Sequence, residues 1–245
     1  MKSENLRPIL KATVLIILLT NFITFSQTDT KKLENSVKSQ IGAYYDEDIG
    51  VSADKNGTIT LSGEVNTLFD KLKIGELISR DNGVKDVINN ITVHNEITAD
   101  NIIRANIENE LQRNDAILEP NRINVEVKDG VVTLSGTVSY FREKLMAQSI
   151  ASWQDGVSDM KSSIKVLSPG IAKSDENLKI IIDGILKRDF PSEKYIKFDV
   201  SNGEVSLWGN TLNLYAKNHI PEEIQKVLGV KSVINEMSVN RNIES

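Results

Sequence analysis

The 245-residue sequence contains no cysteine. This absence excludes disulfide bonds, thiolate metal ligands, cysteine nucleophiles and a lipid-modified N-terminal cysteine. It does not identify a cellular compartment, since many exported bacterial proteins lack disulfide bonds. Aromatic residues are also scarce, at 5% of the chain, so each aromatic side chain on a surface is informative.

The chain also lacks an excess of positive charge, because its formal net charge is −5. The first 26 residues hold Lys2, Arg7 and Lys11 against the single acid Glu4, which leaves −7 on the rest of the chain. Proteins that bind nucleic acid usually present a basic domain or stripe. The composition therefore argues against a nucleic-acid partner.

The N-terminus has the pattern of a cleavable signal peptide, assigned to residues 1–26. Basic residues come first, an apolar run follows over residues 12–25, and Thr24, Phe25 and Ser26 precede a cleavage site before Gln27. An uncleaved membrane anchor is the alternative, but the run is shorter than the roughly 20 residues of a spanning helix. We therefore expect an exported, periplasmic protein.

The mature chain contains an internal repeat with a period of 73 residues. Three sets of glycines recur at this spacing, and apolar positions follow them. These structural repeat glycines are Gly57, Gly130 and Gly203, then Gly63, Gly136 and Gly209, then Gly83, Gly156 and Gly229. The repeat predicts three modules, at residues 27–97, 98–170 and 171–245.

Each module has the same predicted order of elements, α-β-β-α-β. Helical apolar spacing marks a first helix at residues 31–44, 100–113 and 175–187, and an alternating strand follows. A turn ending in Asn-Gly or Asp-Gly predicts a hairpin to a second strand, with one extra residue in module 1. A second helix at residues 68–80, 141–154 and 212–228 ends where glycine can adopt a left-handed conformation, and a last strand closes the module.

This order of elements predicts an α+β fold. The hairpin makes the first two strands antiparallel, and a right-handed strand-helix-strand crossover makes the second and third strands parallel. Each module is therefore expected to form a mixed three-stranded sheet with two helices on one face.

The sequence resembles the BON domain family over nearly all of the mature chain. Residues 129–138, with the sequence DGVVTLSGTV, resemble the hairpin signature of that family. Gly156 and Val157, followed by an apolar strand, resemble its closing motif. Three tandem copies make the resemblance specific.

One position of the family pattern varies between the modules. Asn89 and Asn235 match the usual asparagine of the last strand, whereas module 2 has Ser162. Module 3 departs further, with Trp208 in place of a serine and Pro221 inside its second helix. Because proline lacks the N–H that a helix needs, we expect it to kink or restart that helix.

The resemblance also implies a function. It implies a periplasmic protein, associated with osmotic or envelope stress, that binds phospholipid membrane surfaces or exported and envelope proteins. It implies no catalytic residue. We also expect no cofactor, no metal and no small-molecule substrate. A soluble holdase-type chaperone for exported proteins is the alternative, and a hydrolase, which would need a polar cleft with perturbed titratable groups, is a third hypothesis.

Few residues are candidates for chemistry. His94 and His219 occupy non-equivalent positions of the repeat and have no motif partner, which favours structural or surface roles over catalysis. Asp46, Glu47 and Asp48 form an acidic cluster before a strand. This cluster lacks the spaced ligands and the glycine of an EF-hand loop, which favours a solvated loop.

The second helix of module 2 carries a candidate contact surface. Met146, Ile150 and Trp153 lie at i, i+4 and i+7, roughly opposite the positions that repeat as core residues, and Arg142 lies beside this stripe. The equivalent positions are mostly polar: Lys73, Leu77 and Arg80 in module 1, and His219, Glu223 and Lys226 in module 3. We expect the stripe to contact a membrane, a client protein or an adjacent module.

Export predicts a mature protein that begins near Gln27, because signal peptidase removes the residues before its cleavage site. N-terminal sequencing of protein isolated from separated cell fractions should find this start. An intact form beginning at Met1 in the cytoplasm would contradict the prediction.

Overall fold

A computed structural model describes residues 27–94, 98–167 and 173–239. The elements of module 1 are α1 (Gln27–Gly42), β1 (Gly50–Ala53), β2 (Thr58–Val65), α2 (Leu68–Ile78) and β3 (Asp86–Val93). Those of module 2 are α3 (Asp100–Arg113), β4 (Ile123–Lys128), β5 (Val131–Val138), α4 (Phe141–Ser152), β6 (Asp159–Ser162) and β7 (Lys165–Val166). Those of module 3 are α5 (Asp175–Asp189), β8 (Ile196–Ser201), β9 (Glu204–Thr211), α6 (Leu214–Gln225) and β10 (Ser232–Val239).

The three modules confirm the predicted fold class. In each sheet the second strand is central, antiparallel to the first strand and parallel to the last. In β2, Ile59 and Leu61 are buried, whereas Ser62 and Glu64 are exposed. Because successive side chains of a strand point to opposite faces, the two helices cover one face of each sheet and leave the other open.

Each module has its own hydrophobic core. Leu68 begins α2 of module 1 but is buried in the core of module 2, and Val93 packs against both cores. Modules 1 and 2 therefore meet through apolar side chains. No helix within the described ranges is long and apolar enough to cross a membrane. The predicted boundaries near residues 97 and 170, and the predicted signal peptide, lie outside the described residues.

The hairpin turns lie where the sequence predicts them, and the turn of module 1 has the predicted extra residue. Asp129 and Gly130 of module 2 both have positive φ, at 52° and 74°, a geometry that suits the twist of a two-residue hairpin. The carboxylate of Asp100, at the start of α3, accepts hydrogen bonds from both of their N–H groups. Asp175 does the same in module 3, so the first helix is fixed against the turn.

Gly136 shows why the central strands contain a glycine. Its φ is +109°, and a Cβ atom at this position would overlap the carbonyl oxygen of Arg122. Gly209 would clash with the carbonyl oxygen of Tyr195 in the same way. The first strand can therefore approach the central strand only because the side chain is missing.

The second helices end earlier than the sequence predicts, and the expected helix stop at Gly83 is wrong. The hydroxyl groups of Ser79 and Ser152 donate to carbonyl groups of the last turn of α2 and α4, and such bonds compete with helix continuation. Gly156, with a φ of +84°, lies in the turn after α4, which Val157 closes with a hydrogen bond to Gln154. Gly83 has no positive φ.

The recurring asparagine links the last strand to the second helix. In module 1 the Asn89 amide donates to the carbonyl of Lys71 at 2.8 Å, and its side-chain oxygen accepts the N–H of Ile91 at 3.3 Å. In module 3 Asn235 donates to the carbonyl of Lys217 at 2.9 Å. The link holds the middle of the strand against the helix.

Module 2 lacks this link, and its last strand is broken. Ser162 occupies the asparagine position, and its hydroxyl group is buried without a hydrogen-bond partner. The serine side chain is shorter than asparagine and cannot span the same gap. Strand β6 ends at Ser162, and pairing with β5 resumes only at Lys165.

Helix α6 continues through Pro221 as one helix, so the expected restart is wrong. Proline removes the N–H that would bond to the carbonyl of Lys217, four residues earlier. The amide of Asn235 donates to that carbonyl instead. The recurring asparagine therefore supplies the hydrogen bond that the proline cannot make.

Asn235→Ala should lower the free energy of unfolding by about 1 kcal/mol, because the Lys217 carbonyl then loses its protein donor. In a Pro221→Ala background the same change should cost less, since the N–H of residue 221 is restored. Denaturant unfolding of the four variants measures this coupling, and Asn89→Ala is the matched control in a helix without proline. If Asn235→Ala lowers the free energy of unfolding equally with Pro221 and in the Pro221→Ala background, Asn235 does not replace the hydrogen bond that the proline removes.

Candidate functional site

The stripe formed by Met146, Ile150 and Trp153 lies along a groove between α4 and α3. The groove has a volume of about 450 Å³, and Asn109 and Arg113 of α3 line its other side. Met146 and Ile150 are half-buried and pack against the core of module 2. The stripe therefore faces this groove rather than pointing directly away from the core.

Trp153 caps the end of α4 and remains 53% exposed. Its ring stacks on Phe69 of module 1, with the ring centroids 4.1 Å apart and an interplanar angle of 23°. Lys73 of α2 places its ammonium nitrogen 5.6 Å from the centroid of the Phe69 ring. In the described part of the chain, the aromatic partner of Trp153 is thus a residue of the adjacent module.

A related contact joins module 1 to module 3. The guanidinium group of Arg80, which follows α2, lies 3.9 Å from the ring centroid of Tyr215 in the first turn of α6. The N–H of Tyr215 donates to the carbonyl of Ser79 at 2.9 Å. The Asn213 amide donates to the side-chain oxygen of Asn82 at 3.2 Å. The start of α6 therefore rests on the end of α2.

Glu76 carries the negative charge at this second joint. Its carboxylate accepts hydrogen bonds from Lys73 at 2.5 Å and Arg80 at 3.3 Å, and His219 Nε2 of module 3 lies 3.6 Å from Glu76 Oε1. Burial raises the pKa of Glu76, but the hydrogen bond from Lys73 and the nearby positive charges outweigh it, so the pKa lies below its ordinary value. Glu76 is therefore ionised at neutral pH.

Arg142 lies apart from Trp153. It belongs to the first turn of α4, whereas Trp153 caps the other end of the helix, about 16 Å away along the axis at 1.5 Å per residue. Its guanidinium group is 5.0 Å from the ring centroid of Tyr140. Arg142 and Trp153 therefore lie at opposite ends of α4, with Met146 and Ile150 between them.

The other sequence candidates lie in solvated surroundings. His94 Nδ1 is 2.6 Å from Glu64 Oε1, and both side chains are more than half exposed, so the pair contributes little to stability. Asp46 and Asp48 are exposed in the loop before β1. Within the described ranges, no group of three or more His, Asp or Glu side chains is placed to hold a metal ion.

Sequence reasoning misses Phe69 and Tyr215, which make the two joints. Both lie at the second position of a second helix, and the repeat places Arg142 at the same position of module 2. The signal was present in the 73-residue alignment, because two of the three equivalent residues are aromatic. It becomes interpretable only when the packing of the modules is known.

The family model of the BON domain matches the chain three times, over residues 29–95, 99–168 and 174–241. Each match spans one α-β-β-α-β unit, and together they cover most of the chain. No curated protein matches the chain at a significant level.

Two kinds of solved structure are similar in part. The C-terminal domain of CdsD, the structural protein of the type III secretion system of Chlamydia trachomatis, matches with 17% identity over 85% of this chain and 97% of that chain, at a TM-score of 0.24. The periplasmic domain of PrgH matches with 8% identity over 78% of this chain and 94% of that chain, at a TM-score of 0.21. These TM-scores are too low to bear on function.

The contact between Phe69 and Trp153 should appear as a coupling energy. A double-mutant cycle with Phe69→Ala and Trp153→Ala should give about 1 kcal/mol, the usual worth of a stacked aromatic pair. Phe69→Ala and Trp208→Ala provide the control cycle, which should be additive because Trp208 lies in the sheet of module 3. Additivity in both cycles would mean that the two rings do not stack in solution.

Proposed function

Because the chain belongs to the BON domain family, we propose that it is a non-enzymatic binding protein of the cell envelope whose module 2 contacts phospholipid surfaces. BON domains are associated with envelope and periplasmic proteins, and the family is generally non-enzymatic. The observation that carries the proposal is the exposed ring of Trp153, at the end of α4 and beside the half-buried Ile150.

An indole ring suits the boundary between water and lipid, because its body is apolar and its N–H is polar. Phe69 covers one face of the Trp153 ring, yet 53% of the residue stays exposed. Arg113, across the groove, is largely exposed, and Arg142 is exposed at the first turn of α4. Arg113 pairs with Glu110 at 3.5 Å, so a lipid phosphate would have to compete with that carboxylate, whereas the guanidinium group of Arg142 lies over the Tyr140 ring and can reach a phosphate.

The charge of the whole chain argues against attraction by electrostatics alone. From Gln27 onward the net charge is −7, which an anionic lipid surface repels. The proposed contact therefore depends on insertion of the apolar stripe, with the arginines making local bonds to headgroups. Binding should accordingly change more with Trp153 than with salt concentration.

The proposal includes export and a role in osmotic or envelope stress. Residues 1–26 would act as the signal peptide, and the mature protein would consist of modules at 27–97, 98–170 and 171–245. Envelope proteins are the other proposed partners of the same stripe. The repeat glycines, which shape turns and close strand contacts, serve the scaffold that presents it.

A soluble holdase-type chaperone for exported proteins is the second candidate. Apolar side chains that are at least half exposed occur in all three modules, at Leu72, Ile102 and Ile180. Scattered apolar groups of this kind suit contact with unfolded chains, which have no fixed shape. This function would use all three modules, whereas the proposed lipid contact uses module 2.

Trp153→Glu should abolish flotation with vesicles of phosphatidylglycerol and phosphatidylethanolamine, because burying an unpaired carboxylate in the lipid boundary is costly. Trp208→Glu is the matched control, since Trp208 is 38% exposed on the open sheet face of module 3 and should leave flotation unchanged. Flotation with phosphatidylcholine vesicles, and flotation at increasing salt concentration, measure how much of the binding is electrostatic.

Phe69→Ala separates the contact of Trp153 with module 1 from its proposed contact with lipid. It removes the contact with module 1 but keeps the indole ring, so flotation should persist. If Trp153→Glu floats as well as the natural protein, the phospholipid proposal is wrong. A natural protein that does not float, but suppresses aggregation of an unfolded client, would support the holdase instead.

A further inference from the structure

The two joints between modules bring together the same two positions of the repeat. In each, a residue of the first turn of one second helix meets a residue just after the last turn of another: Phe69 meets Trp153, and Tyr215 meets Arg80. Phe69 and Tyr215 hold the same position of the repeat, and so do Trp153 and Arg80. The second helices therefore form a row, in which the end of α4 receives α2 and the end of α2 receives α6.

Burial at the helix ends follows this row. Ser79 and Ser152 are equivalent residues at the ends of α2 and α4, and both are buried polar side chains. The equivalent residue of α6 is Gln225, which is only partly buried. In the part of the chain that the structure describes, no aromatic ring meets Lys226, which follows Gln225 and caps α6.

The open end of α6 has a cation at the position from which Arg80 contacts Tyr215 at the end of α2. Lys226 takes the position of Arg80, and Glu222 takes the position of Glu76. The Lys226 ammonium group is held 2.5 Å from the carboxylate of Glu223. A cation at this place can lie over an aromatic face, and the last carbonyl groups of a helix are free to accept an N–H.

Among the second helices that the structure describes, one has a first turn that joins no other module, and this turn does not fit that end. It belongs to α4, and it places Arg142 where α2 and α6 have Phe69 and Tyr215. Docking it on α6 would place a guanidinium group, and no aromatic ring, against Lys226, so the contact between a cation and a ring could not form. A second copy of this chain is therefore a poor occupant of the open end.

We propose that the end of α6, at Gln225 and Lys226, is a docking surface for a module of the same fold from a different protein chain. The partner module would present, in the first turn of its second helix, an aromatic side chain at the position that Phe69 and Tyr215 occupy here. The argument is continuity with the two joints already formed, together with the lack of an aromatic residue at position 142 in the chain's own free turn. This surface lies on module 3 and is separate from the stripe of α4.

A variant of the full chain supplies the probe. Arg142→Phe combined with Lys226→Glu gives a chain with an aromatic residue in the first turn of α4 and no cation at the end of α6. Two copies of this variant should therefore not dock on each other. Mixed with the natural chain, it should form a one-to-one complex in sedimentation velocity. Arg142→Ala with Lys226→Glu is the control probe without the ring, and Lys226→Glu alone is the control acceptor.

The expected result is a complex only when the ring and the natural α6 end are both present, with binding at least tenfold weaker for either control. Arg142→Tyr, which copies Tyr215, replaces Arg142→Phe if circular dichroism shows that the phenylalanine variant does not fold. Absence of a complex with both aromatic probes would overturn the proposal. Equal binding to the Lys226→Glu acceptor, or self-association of the natural chain through Lys226, would also overturn it.

Discussion

Each module depends on a hydrogen bond that ties the hairpin turn to the start of the last strand. The carbonyl of the hairpin glycine accepts a hydrogen bond from the N–H of the residue at the start of the last strand. The donors and acceptors are Lys85 to Gly57 at 2.9 Å, Ser158 to Gly130 at 3.0 Å and Lys231 to Gly203 at 2.8 Å. The bond fixes where the last strand begins beside the central strand, and thereby the parallel register. The segment between the hairpin glycine and the last strand, which contains the second helix, must then cover the same distance in every module. This agrees with the sequence, where the three modules align without gaps from these glycines to the end of the module at a period of 73 residues.

The fold is predictable from sequence because its strongest signals are local. Asp129 and Gly130 specify a turn through backbone conformation alone, and the strands on either side follow from it. The ends of the second helices depend on side-chain bonds that glycine spacing does not record, such as that of Ser152 to Ser149. The effect of Pro221 depends on Asn235, which becomes its neighbour only when the last strand has packed on the helix.

The candidate surface is predictable only in part. Helical spacing identifies the stripe, but its direction is set by α3, whose polar side forms the other wall of the groove. The joints are tertiary features without a local pattern, since nothing near Arg80 in the sequence points to Tyr215. What differs between the modules is therefore informative: the glycines are shared, whereas the first turns and ends of the second helices have diverged into Phe69, Arg142 and Trp153.

The break between β6 and β7 bears on how three similar modules avoid exchanging strands. Neighbouring repeats of one chain can trade equivalent segments during folding, and such misassembly is a common failure of repeat proteins. Strands β3 and β10 are continuous over eight residues each. By length, β3 could therefore pair along the central strand of module 3, and β10 along the central strand of module 1. The module between them in sequence is the irregular one, and its interrupted strand would leave backbone groups of β2 or β9 unpaired. The gap after Ser162 thus makes the last strand of the middle repeat a poorer partner for β2 or β9 than their own continuous strands.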